Sequence, residues 1–200
     1  MVFLFSCSEN DLKTNATISN VDESLAMIQS DSINTKILKI VFENLRIELG
    51  IDDASKSNKD IYRVWLINPK NDQSKVFEYY PNDIGSSTKL INIGAFIDST
   101  SQFRRKIDKT VTCSASSMIL DKILEGLEIN ELESYVQTGD INFNFPSYLI
   151  ESLVDGNYNS SVFHIPENYY DENINCKRAY LIGLSIFGVT SECSNSYFEE

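Results

Sequence analysis

Two apolar runs separated by a turn cluster constrain the fold of this chain more than any other feature of its sequence. Residues 61–67 and 75–80 are rich in β-branched and aromatic side chains, and residues 68–72 between them are strong turn formers. Two such runs joined by a turn predict an antiparallel β-hairpin. A third run, Leu90 to Ile97, predicts a strand that continues the meander.

Three other segments carry features typical of helices. Apolar residues recur at helical spacing from Ile33 to Leu49, where Gly50 provides a stop, and again from Ser116 to Leu127. Pro146 suits the first turn of a helix, and it therefore predicts a short helix over Ser147 to Val154.

Strands are predicted to return later in the chain, over Ser161 to Ile165 and over the longest apolar stretch, Ala179 to Val189. Strands, then helices, then strands indicate an α+β domain with a mainly antiparallel sheet and helices packed on one face. The free face of the sheet could then meet a partner. We assign residues 21–200 to this single domain and residues 1–20 to a signal remnant and flexible tether.

The charge pattern limits the classes of partner. The formal net charge is −12, and a surface this acidic repels phosphate backbones, so we expect no nucleic-acid partner. Between Thr110 and Cys176 the only Lys or Arg is Lys122, which predicts an acidic face. The basic run that precedes this segment consists of Arg104, Arg105 and Lys106, and it is a candidate interaction patch. The alternative is a solvated loop or helix end.

The chain opens with an apolar segment that ends at Leu4-Phe5-Ser6-Cys7, followed by the polar Ser8 to Asp11. This tetrapeptide resembles the lipobox of bacterial lipoproteins, and the resemblance implies export, a lipid anchor on Cys7 and a location in the cell envelope. Because a signal peptide carries about 7–15 apolar residues, we expect the natural start to lie upstream. The alternative is an apolar first strand in a cytoplasmic protein.

The remaining cysteines, Cys113, Cys176 and Cys193, allow at most one disulfide. A straight strand would separate the ends of the segment between Cys176 and Cys193 by roughly 50 Å, at about 3.3 Å per residue. A disulfide needs Cα atoms within about 7 Å. The Cys176–Cys193 pair is therefore a candidate only if the chain doubles back.

Two polar segments contain oxygen ligands of the kind that cations use. Asp155, Asn157 and Asn159 have a calcium-loop spacing, although Pro166 stands where the bidentate glutamate of that loop belongs. Asp98 follows an apolar strand, where functional loops are often placed. Plain turns are the alternative at both places, because these residue types form turns readily. We expect no resident cofactor.

Recognisable catalytic motifs are missing from the sequence, including glycine-rich phosphate loops and Gly-x-Ser-x-Gly elbows. The single histidine, His164, lies within a predicted strand and is interpreted as a packed or edge residue, although a pair with Cys113 or Cys176 is conceivable. We therefore predict a non-catalytic, membrane-anchored lipoprotein that binds a protein or a glycan. The alternatives are an acidic immunity- or inhibitor-type protein that neutralises a basic toxin or enzyme, and an unrecognised hydrolase.

Overall fold

The computed structural model describes residues 33–68, 74–81, 88–113, 117–137 and 139–195. The strands of this part of the chain are β1 (Ile61–Ile67), β2 (Ser74–Tyr79), β3 (Thr88–Ile97), β4 (Phe103–Cys113), β5 (Ser147–Val154) and β6 (Asn157–His164). They form one antiparallel sheet in the order β4-β3-β2-β1-β5-β6. The helices are α1 (residues 33–49), α2 (Ser117–Gly126) and α3 (Ile174–Asn195). None of these helices has the length and hydropathy that crossing a membrane requires.

The predicted hairpin is confirmed and forms part of the centre of the sheet. On β1 and β2, Val64 pairs with Phe77 and Trp65 pairs with Val76. Neighbouring side chains of a strand point to opposite faces, so each pair lies on a different face. All four side chains are fully buried. The middle of the sheet is therefore covered on both sides.

The helices supply that cover from two sides. Leu38 and Phe42 of α1 pack in one cluster with Trp65, whereas Leu124 of α2 and Ile182 of α3 pack in a second cluster with other strand residues. The predicted α+β class and antiparallel sheet are confirmed. The helices, which were expected on one face, are divided between the two, because the central strands are apolar on both faces.

The segment Ser147 to Val154 is a strand and not the helix predicted from Pro146. It is β5, between β1 and β6, and it buries Tyr148 and Ile150 under α2 and α3. A strand buried on both faces shows no clear alternation of apolar and polar residues, so its sequence resembles that of a short buried helix. Pro146 directly precedes the strand, where it costs no ladder hydrogen bond.

The segment Ala179 to Val189 was predicted as a strand and is instead the middle of α3. Asn173 caps this helix, because its Oδ1 accepts from the backbone N–H groups of Asn175 and Cys176 at 2.9 and 3.1 Å. The buried side chains recur at helical spacing and face the sheet: Cys176, Ala179, Ile182 and Ile186. The strand was predicted from the high local content of apolar residues, and the helical spacing of these four positions was not recognised.

The β6 edge of the sheet is covered by the chain that follows α2. The Tyr135 N–H donates to the Val162 carbonyl at 3.0 Å, and the Val162 N–H donates to Ser134 Oγ at 3.1 Å. Ser161 and Asn159 donate further to the Leu132 carbonyl. This edge is thus closed to strand addition by another chain.

Candidate functional site

The flank of α1 that points away from the sheet exposes large apolar side chains. Four isoleucines, here called the α1 surface, have exposed fractions from 39% to 62%: Ile33, Ile37, Ile40 and Ile47. At about 3.6 residues per turn they lie within an arc of about 80° around the helix axis. Two apolar stripes run along this helix, so the helical spacing in the sequence did not show which of them faces the sheet. The structure buries the stripe that contains Phe42 and leaves this one outside.

A cavity of about 370 Å³ lies next to this surface, between α1 and the sheet. We call it the α1 cavity. Its walls are mostly apolar, and the lining side chains include Leu38, Val41, Phe42, Ile67 and Phe143. A volume of this size is within the range of ligand-binding cavities, which is about 300–1,000 Å³.

A few polar groups converge on the α1 cavity. Ser147 of β5 and Arg105 of β4 line it, together with Asn44 and Glu48 of α1. The Glu48 carboxylate already accepts the backbone N–H of Arg105 at 3.2 Å. Apolar walls with a small number of placed polar groups are typical of sites that orient a bound molecule.

Ser147 is coupled to the single histidine of the chain. Ser147 Oγ lies 2.9 Å from His164 Nδ1, across the β5–β6 pair, and both side chains are buried. Burial lowers the pKa of His164 below its ordinary value of 6.5, which favours the neutral ring. Among the described residues, His164 Nε2 has no hydrogen-bond partner.

The prediction that His164 is a packed residue is therefore confirmed. Its pairing with Ser147 was missed, because the two residues become neighbours only once the register of β5 and β6 is fixed. The alternative pair with Cys176 does not form. Phe163 packs with Cys176 under α3, so the adjacent His164 points to the opposite face of the sheet.

A second buried polar group, also missed by the sequence analysis, crosses β2, β1 and β5. Arg63 Nε donates to Glu78 Oε1 at 2.9 Å, and Arg63 Nη1 lies 3.5 Å from Glu151 Oε2. Glu151 also accepts from Trp65 Nε1 and from the Tyr158 hydroxyl, each at 2.8 Å. The three charged side chains are 2–4% exposed. The sequence signal that could have predicted this group is a charged residue inside each of the three apolar runs.

Two cavities adjoin this buried group. One of about 210 Å³ is lined by Trp65, Glu151 and Tyr158, and another of about 700 Å³ is lined by Arg63 and Tyr80. Because the charged side chains already bond to one another, the group acts as a cross-link between three strands. A proton-transfer role would require a carboxylate oxygen that is not already bonded to such partners.

The residues considered for calcium form a β-hairpin. Asp155 and Gly156 have φ values of 50° and 77° and make the two-residue turn between β5 and β6. The Asn159 amide donates to the Asn130 and Leu132 carbonyls. The predicted turn is confirmed, and Asn159 serves to hold the loop over β6. Among the residues that the structure describes, no group of three or more His, Cys, Asp or Glu side chains could hold a metal ion.

Asp98 organises the turn between β3 and β4, as the turn interpretation predicted. Its Oδ1 accepts from the Thr100 hydroxyl at 2.6 Å and from the Thr100 and Gln102 N–H groups at 2.8 and 3.0 Å. These hydrogen bonds, led by that of the Thr100 hydroxyl, hold the pKa of Asp98 well below its usual range.

The basic run lies on an edge strand and not in a loop or at a helix end. In β4, Arg104 pairs with Asp98 at 3.2 Å and Lys106 with Asp108 at 3.6 Å. Arg105, between them, points to the opposite face and lines the α1 cavity. The three residues therefore do not form one patch, because side chains alternate along a strand.

The disulfide that was considered between Cys176 and Cys193 does not form. Cys176 is a free, buried thiol, and Cys193 is in the same helix, 17 positions further along. At about 1.5 Å per residue their Cα atoms are roughly 25 Å apart, far beyond disulfide distance. Burial raises the pKa of the Cys176 thiol to about 12. Cys7, the expected lipidation site, lies outside the described residues.

Comparison of the sequence with models of known protein families finds no match, and comparison with curated proteins finds no significant one.

Proposed function

We propose that this chain is a non-catalytic binding protein, held at a membrane of the cell envelope through Cys7, whose α1 surface binds a partner protein. The exposed isoleucines of α1 carry the proposal. Burial of apolar area stabilises a protein by roughly 25 cal/mol for each Å² that is removed from water. These four side chains do not gain that stabilisation while they are exposed. A contiguous apolar patch of this kind typically marks an interaction site.

The chemistry of the α1 surface favours a protein over a glycan. Its side chains are aliphatic, whereas sugar hydroxyls need hydrogen-bonding groups and commonly a flat aromatic ring to stack on. From Ile33 to Ile47 the strip runs for roughly 21 Å, at about 1.5 Å per residue. That length matches about four turns of an amphipathic helix lying in a groove. With a net charge of −12 on this chain, long-range attraction favours a basic partner and long-range repulsion disfavours an acidic one.

Photo-crosslinking in the cell envelope tests the partner surface. A photoreactive amino acid at position 40 or 47 should give one discrete crosslinked product, and Ile37→Lys should abolish it. Ile119 is the matched control, because it is a similarly exposed isoleucine, 49%, on α2. A product of equal yield from position 119, or no product from positions 40 and 47 in stably folded protein, would contradict the proposal.

Metabolic labelling with a fatty-acid analogue tests the anchor separately. The full-length protein with its natural start should incorporate the label, and Cys7→Ser should not. Equal labelling of the two proteins, or labelling of neither, would exclude the anchor while leaving the α1 surface open to test.

An acidic inhibitor-type protein is the second candidate, and one observation favours it. The end of α2 and the turn after it expose four glutamates within nine residues: Glu125, Glu128, Glu131 and Glu133. A basic toxin or enzyme bound there should dissociate as salt rises, because the attraction between opposite charges is screened. Glutamine at these positions should weaken that binding, and Ile37→Lys should leave it unchanged.

A further inference from the structure

The α1 cavity contains a hydrogen-bond donor whose direction the buried histidine sets. A neutral imidazole carries one N–H, on Nδ1 or on Nε2. With the proton on Nε2, a buried N–H would have no acceptor among the described residues. With the proton on Nδ1, that N–H donates to Ser147 Oγ, and Nε2 keeps only an unused lone pair. Buried N–H groups without acceptors are the rarer of the two cases, so the Nδ1–H form is favoured.

This assignment determines what Ser147 offers to the cavity. Its oxygen accepts from His164 Nδ1 at 2.9 Å, so its own proton is left to bond elsewhere. Ser147 lines the α1 cavity, and the other polar side chains there include the guanidinium of Arg105, which is also a donor. One oxygen of the Glu48 carboxylate accepts the Arg105 backbone N–H. Asn44 adds an amide, which has both donors and an acceptor, and the other lining residues are apolar. The cavity thus combines an apolar volume with a polar end at which the Ser147 hydroxyl supplies a donor.

We infer that the α1 cavity binds a small, mainly aliphatic molecule that presents a hydrogen-bond acceptor, a carbonyl or carboxylate oxygen, to the Ser147 hydroxyl. Such a ligand satisfies the free proton of Ser147 and covers the apolar walls formed by Leu38, Val41 and Phe143. This function goes beyond the partner surface, because it uses the inside of the cavity and not the exposed isoleucines.

Three probes of equal chain length test the inference by calorimetry: octanamide, octanoate and octylammonium. We expect octanamide and octanoate to bind, and octylammonium, which has donors only, to bind at least tenfold more weakly. The net charge of −12 would by itself favour the ammonium. Weaker binding of octylammonium could therefore not be explained by the overall charge of the protein. Equal or tighter binding of octylammonium would overturn it.

Two variants locate the site. Ser147→Ala should weaken octanamide binding about 3- to 10-fold, the loss of one hydrogen bond. Ser152→Ala is the matched control, because Ser152 is a buried serine of the same strand on its opposite face. Val41→Trp, at a half-exposed helix position that lines the cavity, should abolish binding without unfolding the core. Unchanged affinity in Ser147→Ala or in Val41→Trp would refute the site. Crosslinking from position 40 should persist in Ser147→Ala, which separates this result from the partner surface.

Discussion

Arg63 and Glu78 lie directly opposite each other on β1 and β2, and the buried Arg63 guanidinium donates to Glu78 Oε1 from Nε at 2.9 Å. Glu151 occupies the matching position on β5, on the other side of Arg63. One cation is therefore placed between two carboxylates in a single row across the sheet. The charges can remain buried only because each has a partner of opposite sign.

Removing the cation alone should destabilise the protein more than removing all three charges of the row. We expect Arg63→Met to lower the free energy of unfolding by about 3–5 kcal/mol, because Glu151 loses its counter-charge and Glu78 keeps only the half-exposed Lys89 at 3.6 Å. The triple variant Arg63→Met/Glu78→Leu/Glu151→Gln should recover most of that loss, with the glutamine still accepting from Trp65. Urea unfolding, followed by Trp65 fluorescence, measures both. A triple variant no more stable than Arg63→Met would contradict the proposed role of the row.

The contact between α3 and β5 depends on a glycine. A Cβ atom added at Gly183 would lie 2.5 Å from Cε1 of the buried Tyr148 ring. We expect Gly183→Ala to destabilise the protein by about 1–3 kcal/mol through overpacking. Gly188, in the same helix, has no atom within 4 Å of such a Cβ. Gly188→Ala should therefore be neutral, or stabilising by up to about 1 kcal/mol, since alanine favours helix. Equal melting temperatures for the two variants would rule out the contact.

His164 should make stability depend on pH near neutrality. Its pKa is lowered by burial, so below about pH 6.5 the unfolded state binds a proton that the folded state resists. Stability should be insensitive to this group at higher pH and should fall as the pH drops through that value, by at most about 1.4 kcal/mol per pH unit. In His164→Gln this component should disappear, and the chain has no other histidine. Urea unfolding across this pH range measures the effect in both proteins. The same pH dependence of stability in the unmodified protein and in His164→Gln would disprove the assignment.

Cys176 should be chemically inert in the folded protein. It is fully buried, and burial raises its thiol pKa to about 12, so little thiolate forms at neutral pH. In a variant with Cys7, Cys113 and Cys193 changed to serine, iodoacetamide should leave the native protein unmodified and should add one group after denaturation. Mass spectrometry reads out both states. Rapid modification of the native variant would show that α3 does not shield the thiol.

The elements that sequence analysis predicted correctly are those with a local cause. Alternating β-branched and aromatic residues around a turn cluster predict the β1–β2 hairpin, and helical spacing ended by Gly50 predicts α1. The structure shows Gly50 with a φ of 64°, a conformation that glycine adopts at little cost. The turns at Asp98 and Asp155 were predicted on the same basis, because their side chains and φ values act within a few residues.

The sequence by itself therefore determined the hairpin, α1, the main turns and the acidic character of the chain. Only the tertiary structure decided that Ser147 to Val154 is a strand and that Ala179 to Val189 is helical, because neither segment has a polar face to reveal its period. The strand is buried on both faces, and the helix carries apolar side chains, such as that of Leu184, on its exposed side as well. The same holds for the candidate site. Ser147 meets His164, and Arg63 meets Glu78 and Glu151, through strand register, which brings together residues that are 15 to 88 positions apart.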